Sequence, residues 1–292
     1  MTAPQQLELP DGDAAVVSGL DADRYHAHPA LSATGARRLL KAPALYRWET
    51  DNPPESTKTF DFGKAAHRRI LGAGEPVEVL DFPDWKTKAS REARDEATAA
   101  GRIPLLVKDW EIVEQMAAAL TAAELETDDG VRFSVADLFG DGTPEQSLFW
   151  TDPDTGVPCR ARLDWLPDPV EGRRMVVVDY KTAASADPRE FGKAADSYGY
   201  HVQQAWYLDA VRACGLDPDP AFVFVVQEKT APYLVSVVQI APDSAALGRI
   251  LADRARRIYR DCVRSGRWPG YGERVHPVEL PVWAFTREQE NE

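Results

Sequence analysis

The chain has 292 residues, 44% of them hydrophobic, which suffices for one large domain or two small ones around a buried core. Its formal net charge of −13 argues against a protein that coats nucleic acid through global charge, and leaves only local basic contacts for that purpose. No apolar run approaches the roughly 20 residues of a membrane helix, and residues 1–9 lack the charged-then-apolar layout of a signal peptide, so a soluble cytoplasmic protein without a membrane partner is expected.

Residues 1–20, rich in Pro, Asp and Gly without periodicity, read as a loose leader. Ser32 then caps a helix whose apolar face is Leu39, Leu40 and Leu45, closed by Pro53-Pro54. Further helices are expected over 60–71, 86–100 and 108–125, the last two separated by Gly101-Arg102-Ile103-Pro104. The pattern changes near Glu145. Runs of β type over 146–151 and 157–166 flank the turn-forming Asp152-Pro153-Asp154-Thr155-Gly156 and predict a hairpin. After a turn over 167–174, Met175-Val-Val-Val-Asp-Tyr-Lys181 is the strongest strand signal in the chain. An amphipathic helix over 197–214, strands over 221–227 and 233–240, and a long helix over 244–266 complete the reading. Neither an internal repeat nor a low-complexity linker lies between Asp21 and Ala284. The expectation is therefore an α+β fold with one domain over 21–285, between the leader and a tail over 286–292.

Chemistry concentrates at Asp179-Tyr180-Lys181. Side chains alternate along a strand, so Asp179 and Lys181 share one face, and both are costly at the end of a Val-rich buried run unless partnered. A structural salt bridge would satisfy an isolated D-x-K equally well, so companions decide. Asp164, at the end of the preceding strand, places a second carboxylate beside the first, and two carboxylates on adjacent strands can hold Mg²⁺ while leaving it several waters. Gln203 and Tyr207, four apart on the following helix, lie on one face and can point at a substrate phosphate or at Lys181. His67 follows the small residues Gly63, Ala65 and Ala66, which let its helix approach a sheet, and an imidazole ligand extends the metal choice to Mn²⁺. Cys159, Cys214 and Cys262 form no C-x-x-C pair and read as buried free thiols, not as a disulfide framework or a metal site.

The ordered set Gly63-Lys-Ala-Ala-His67, Asp164, Asp179-Tyr-Lys181 and Gln203-Gln-Ala-Trp-Tyr207 resembles the RecB-like branch of the PD-(D/E)XK nuclease superfamily, whose core is a helix, a three-strand antiparallel meander, a helix and a strand. Tyr25-His-Ala-His-Pro-Ala-Leu-Ser32, Leu39-Leu-Lys-Ala-Pro-Ala-Leu-Tyr46 and Trp268-Pro-Gly-Tyr271 are similar to the phage exonuclease VIII (RecE-type) nuclease domain, with the helical N-terminal region as an addition to the core. The resemblance covers most of the chain, from about residue 25 to 283, and implies a Mg²⁺- or Mn²⁺-dependent exonuclease acting 5′ to 3′ on double-stranded DNA ends. Its 3′ tails would serve a phage single-strand annealing protein, in the host cytoplasm if the protein is phage-encoded. It also implies His67, Asp164, Asp179 and the Tyr180 carbonyl as metal ligands, Lys181 as the residue that orients or deprotonates the attacking water, and Glu145 as an acid beside the site. The cysteine cluster of the iron–sulfur relatives is absent from the sequence, so no such cluster is expected. A homo-oligomeric ring, as in relatives of this superfamily, would reconcile DNA binding with the acidic balance. Phosphate contacts are expected from Lys86, Lys88, Arg91 and Arg94, and from Arg37, Arg38 and Lys41. A third basic group, Arg254, Arg256, Arg257 and Arg260, reads first as a solvated helix face. The alternatives are an endonuclease or repair nuclease of the same branch, and a catalytically silent DNA-binding module.

Overall fold

The computed structural model describes residues 13–52, 59–127, 129–272, 274–280 and 283–284, together with the backbone but not the side chains of residues 59–61. In chain order the elements are β1 (Ala14–Val17), α1 (Ala22–Ala27), β2 (Leu31–Ser32), α2 (Ala33–Lys41), α3 (Pro43–Asp51), α4 (Thr59–Leu71), β3 (Val77–Leu80), α5 (Lys88–Ala99), β4 (Ile103–Leu106), α6 (Val107–Ala122), β5 (Glu124–Glu126) and β6 (Arg132–Ser134). A 3-10 turn, Val135–Phe139, leads into β7 (Gly142–Thr151), β8 (Pro158–Pro167), β9 (Val176–Ala183), α7 (Pro188–Tyr198), α8 (Tyr200–Ala213), β10 (Ala221–Glu228), β11 (Val235–Val238) and α9 (Pro242–Ser265).

The fold is mixed α+β. Its main sheet runs in the order β1-β7-β8-β9-β10-β11, with β2 added alongside β8. Only β9–β10 and β2–β8 are parallel; the other pairs are antiparallel. The β7–β9 meander comes from period-two alternation around two turns, and the parallel step to β10 requires the α7–α8 crossover that the sequence supplies. Each sheet face then carries its own core. Val177, Phe222 and Phe224 pack with Val202, Ala205, Trp206, Ala252 and Ala255 on one side. On the other, Val178, Tyr180, Val223 and Val225 pack with Ala65, Ala66, Val113 and Met116. Both faces are covered, so β9 and β10 read as nearly continuous Val/Phe runs.

Several expectations need correction. Within the leader, residues 14–17 form an edge strand on β7, because they gain a ladder there and Ala14, Ala15 and Val17 a partly buried position. Residues 1–12 of that leader, Pro53-Pro54 and the tail over 286–292 lie outside the described residues. The helix capped by Ser32 is two helices, since Pro43 cannot donate to a continuing helix and Ala42 turns extended. Gly101 to Pro104 is not a mere break: β4 pairs in parallel with β3, and α5 is their crossover. The helix expected over 197–214 is likewise divided. Gly199, with φ at +66°, ends α7 and turns the chain into α8.

Candidate metal and catalytic site

The register between β8 and β9 sets Trp165 opposite Val178. Two residues further along β9 the ladder opens. The Tyr180 N–H, which a continuing ladder would give to a backbone carbonyl, donates to Asp164 Oδ2 at 2.9 Å. This gap in the sheet brings the sequence-predicted residues together. From the α4 side His67 reaches in, its Nε2 2.8 Å from the same Asp164 Oδ2 and its Nδ1 3.4 Å from Glu145 Oε1. His67, Glu145 and Asp164 each present a ligand atom within 4.8 Å of the others. Ala65 and Ala66 are fully packed beneath His67, as their size predicted. Gly63 faces Thr182 with room for a β-carbon 3.6 Å from its Oγ1, so close packing does not require a glycine there.

The other half of the site lies on the α8 face. Asp179 is completely buried; its Oδ1 accepts from Gln203 Nε2 at 2.7 Å, and its Oδ2 lies 2.5 Å from Lys181 Nζ without a partner in regular hydrogen-bond geometry. Gln203 thus engages Asp179 and not Lys181. Tyr207 sits deeper on the same helix face against Phe222, its hydroxyl held well above the ordinary tyrosine range by burial and by the Asp179 carboxylate. Asp179 is not among the mutually close donors of the first group; Gln203 and Lys181 engage its carboxylate.

The charges are strongly interdependent. Burial opposes charge on His67, but Asp164 and then Glu145 outweigh it and hold the imidazolium up to about 10. Burial also works against the Asp164 carboxylate, yet His67, Lys181 and the Tyr180 N–H keep it below its ordinary value. Asp179 is pushed up to about 6, first by burial and then by Asp164, against the pull of Lys181. Lys181 is raised because Asp179 and Asp164 more than offset its own desolvation. Two neighbouring buried carboxylates with opposite displacements mark a place where cations are in demand.

Sequence reasoning missed Arg162, two residues before Asp164 on β8. Its Nε lies 3.8 Å from Glu145 Oε2 and donates to Ser147 Oγ at 3.0 Å, Nη2 donates to the Leu20 carbonyl at 2.7 Å, and the guanidinium stands 4.4 Å from the Tyr25 ring centroid. Its i,i+2 relation to Asp164 was the available signal. Arg162, Glu145 and His67 line a cleft of ≈ 960 Å³ together with Gly19, Lys64, Gly74 and Thr182.

The basic clusters divide. Arg38 pairs with Glu49, Lys86 with Asp84, Lys88 with Glu92 and Arg94 with Asp95. Arg256 is a buried core residue bonded to Asp209 and Asp253 and close to Asp152, so its segment is not simply a solvated face. Cys159 and Cys262 are buried free thiols, as expected, whereas Cys214 is only half-buried. No helix among the described residues is long and apolar enough to cross a membrane.

The family whose sequence model matches is the PDDEXK-like domain of unknown function (DUF3799), over residues 35–280. Among solved structures the chain is similar to a protein from Eubacterium rectale described as a "Putative exonuclease", at 12% identity and a TM-score of 0.54, over 91% of this chain and 98% of that one. At that identity the likeness bears on the fold alone. No curated protein matches the chain.

Proposed function

Because the chain belongs to the family of the PDDEXK-like domain of unknown function, we propose that it is a metal-dependent exonuclease that digests double-stranded DNA from its ends, 5′ to 3′. The observation that carries this reading is the convergence of His67, Glu145 and Asp164 in the gap between β8 and β9, directly beside the Asp179–Lys181 pair. One imidazole and two carboxylates suit Mg²⁺ or Mn²⁺, and the buried Asp179 carboxylate, bonded by Gln203 and paired with Lys181, adds a further acid to the same neighbourhood. A divalent cation held there supplies Lewis-acid polarisation of the phosphodiester and acidifies water.

The chain's own groups have separable tasks. His67, Glu145 and Asp164 hold the cation, with Asp179 and the Tyr180 carbonyl completing the set. The Lys181 ammonium orients the attacking water and stabilises the negative charge that develops on the phosphoryl oxygens. Gln203 fixes the rotamer of Asp179, and Tyr207 packs behind it. Arg162 holds Glu145 toward the cleft. On this reading the partners are duplex ends, a single-strand annealing protein that takes up the 3′ tails in phage-type recombination, and further copies of the chain in a ring.

The test uses the purified chain with linear duplexes labelled at the 5′ or the 3′ end, in Mg²⁺, in Mn²⁺ and in EDTA. Early release of the 5′ label in either metal and none in EDTA is expected. Intact DNA in both metals would leave the silent-module reading in place.

A further inference from the structure

The junction between α7 and α8 carries an aromatic surface that the proposed chemistry does not use. Tyr200 is anchored from the core side by Phe191, its ring 5.7 Å away and nearly parallel, and by Phe224 at 5.5 Å. Lys181 Nζ stands 5.1 Å from the Tyr200 ring centroid, so this ring adjoins the catalytic pair. Tyr198 stacks on Tyr200 at 5.6 Å with 26° between the planes and is 59% exposed, so part of its surface faces solvent. Between the two tyrosines, Gly199 allows Arg37 to cross the junction: a β-carbon there would lie 2.5 Å from Arg37 Cδ. Arg37 is half-buried within electrostatic reach of Tyr200 and Tyr207, and it pairs with no carboxylate among the described residues.

Exposed tyrosines are common on protein surfaces, and one alone would say nothing. Here an open ring is backed by a second ring, flanked by an uncompensated arginine, and one residue contact from the proposed catalytic lysine. Aromatic faces interleaved with cations are how proteins hold single-stranded nucleic acid, because every base has a π-face and every nucleotide a phosphate. We propose that Tyr198, Tyr200 and Arg37 form a stacking subsite for an unpaired nucleotide next to the phosphodiester that is cleaved: the base lies on Tyr198, and Arg37 meets the adjoining phosphate. The proposal rests on the nuclease reading given above.

The test separates the two. A duplex with a short phosphorothioate-protected 5′ overhang containing 2-aminopurine is titrated with the full chain in Ca²⁺, and cleavage of unprotected linear duplex by the same wild-type preparation is measured in Mn²⁺. Quenching of 2-aminopurine by the wild type, binding about tenfold weaker in Tyr198→Ala, and recovery in Tyr198→Trp are the expected results. Arg37→Gln should lower the dependence of log affinity on log salt by about one. Melting curves of the variants confirm that these surface changes leave the fold in place. A wild type that cleaves, with Tyr198→Ala binding and quenching as the wild type does, overturns the subsite and leaves the nuclease reading standing. A wild type that neither cleaves nor binds overturns both.

Discussion

Glu145 stands directly across the β7–β8 pair from Asp164, between the registered pairs Pro144–Trp165 and Gln146–Leu163, and it does so with φ at +52°. Facing carboxylates on paired strands repel, and a non-glycine residue in the left-handed region costs about 1–3 kcal/mol. Neither feature serves the sheet, whereas both aim the Glu145 carboxylate at His67 and Arg162. Glu145→Gln should therefore weaken Mn²⁺ binding by at least about tenfold with little change in the melting temperature of the metal-free protein. Calorimetric titration reads this directly; equal Mn²⁺ affinity in the variant would remove Glu145 from the ligand set.

The Asp179–Lys181 pair makes a different demand. Asp179 is wholly buried and Lys181 is the cation against it, so each serves the fold as well as the chemistry. Removing one partner of a buried pair leaves an uncompensated charge, at a cost of about 3–5 kcal/mol. Lys181→Ala should abolish cleavage and also destabilise the metal-free protein at pH 8. The sign with pH follows from Asp179. Its folded value, already up to about 6, rises further without Lys181, so the stability tied to its proton is present below the unfolded value of 3.8 and lost as pH rises through the folded one. The deficit of Lys181→Ala relative to wild type should accordingly shrink between pH 8 and pH 4.5 in EDTA, and Asp179→Asn should be inactive without that pH-dependent deficit. Thermal melts across pH decide; a deficit that is flat with pH contradicts the assignment.

His67 gives the metal question a proton readout. Its folded value of about 10 lies above the ordinary 6.5, so its contribution to the metal-free fold is complete below pH 6.5 and is lost as pH rises through about 10. At pH 8 the imidazole carries its proton, yet only the neutral ring can ligate a metal. Uptake of Mn²⁺ at pH 8 should then release about one proton, measured by calorimetry in buffers of different ionisation enthalpy. His67→Gln should bind Mn²⁺ more weakly, without that proton, and with a flatter stability profile between pH 6.5 and 10. The same proton release in wild type and variant would assign it to another group.

Much of this was legible in the sequence because the signals were long or chemically costly. The Val-rich run of β9, the β7–β8 hairpin turn, the small residues before His67 and the long amphipathic α9 all appear near their expected places. What escaped was short or relational. β3 and β4 are four residues each, one carrying a glutamate and the other a proline, and they become strands only because α5 folds back to pair them. α7 begins at a proline behind the Asp187 cap, ahead of the helix expected over 197–214. In the site, Asp164, Asp179, Lys181 and Gln203 could be placed from alternation and helix spacing. The approach of Arg162 to Glu145 depends on cross-strand register and one distorted residue, and Tyr198 beside Tyr200 would read as ordinary aromatic content until the Gly199 turn sets them side by side.

The expected mode of attack rests on the exonuclease reading, and the cleft shows which segments border the site. It has a volume of ≈ 960 Å³, opens to solvent, and is lined by His67, Glu145 and Arg162 among others. Its walls are the Gly19–Asp23 turn, the Gly63–Arg68 face of α4, the Ala73–Pro76 turn and Pro144. His26, Gly101 and Ile103 also line it, whereas no residue of α5 does, and Lys88 and Arg94 are paired with acids on that helix. His67, Asp164 and Lys181 would hydrolyse any phosphodiester brought to them, so access alone sets selectivity. On the exonuclease reading a strand reaches the site after its base has left the duplex, and the two terminal pairs of a linear molecule open far more readily than pairs held on both sides. Linear duplex should therefore be degraded progressively from its ends, while covalently closed circles survive the same Mg²⁺ or Mn²⁺ conditions. A single nick should convert a resistant circle into a substrate only slowly, because the strand must still peel from its complement, whereas a short 5′ overhang should accelerate the start of digestion. Gel analysis over time with linear, nicked and closed forms of one plasmid decides the matter: prompt linearisation of the closed form would mean that the cleft admits an internal strand, and the endonuclease alternative would take its place.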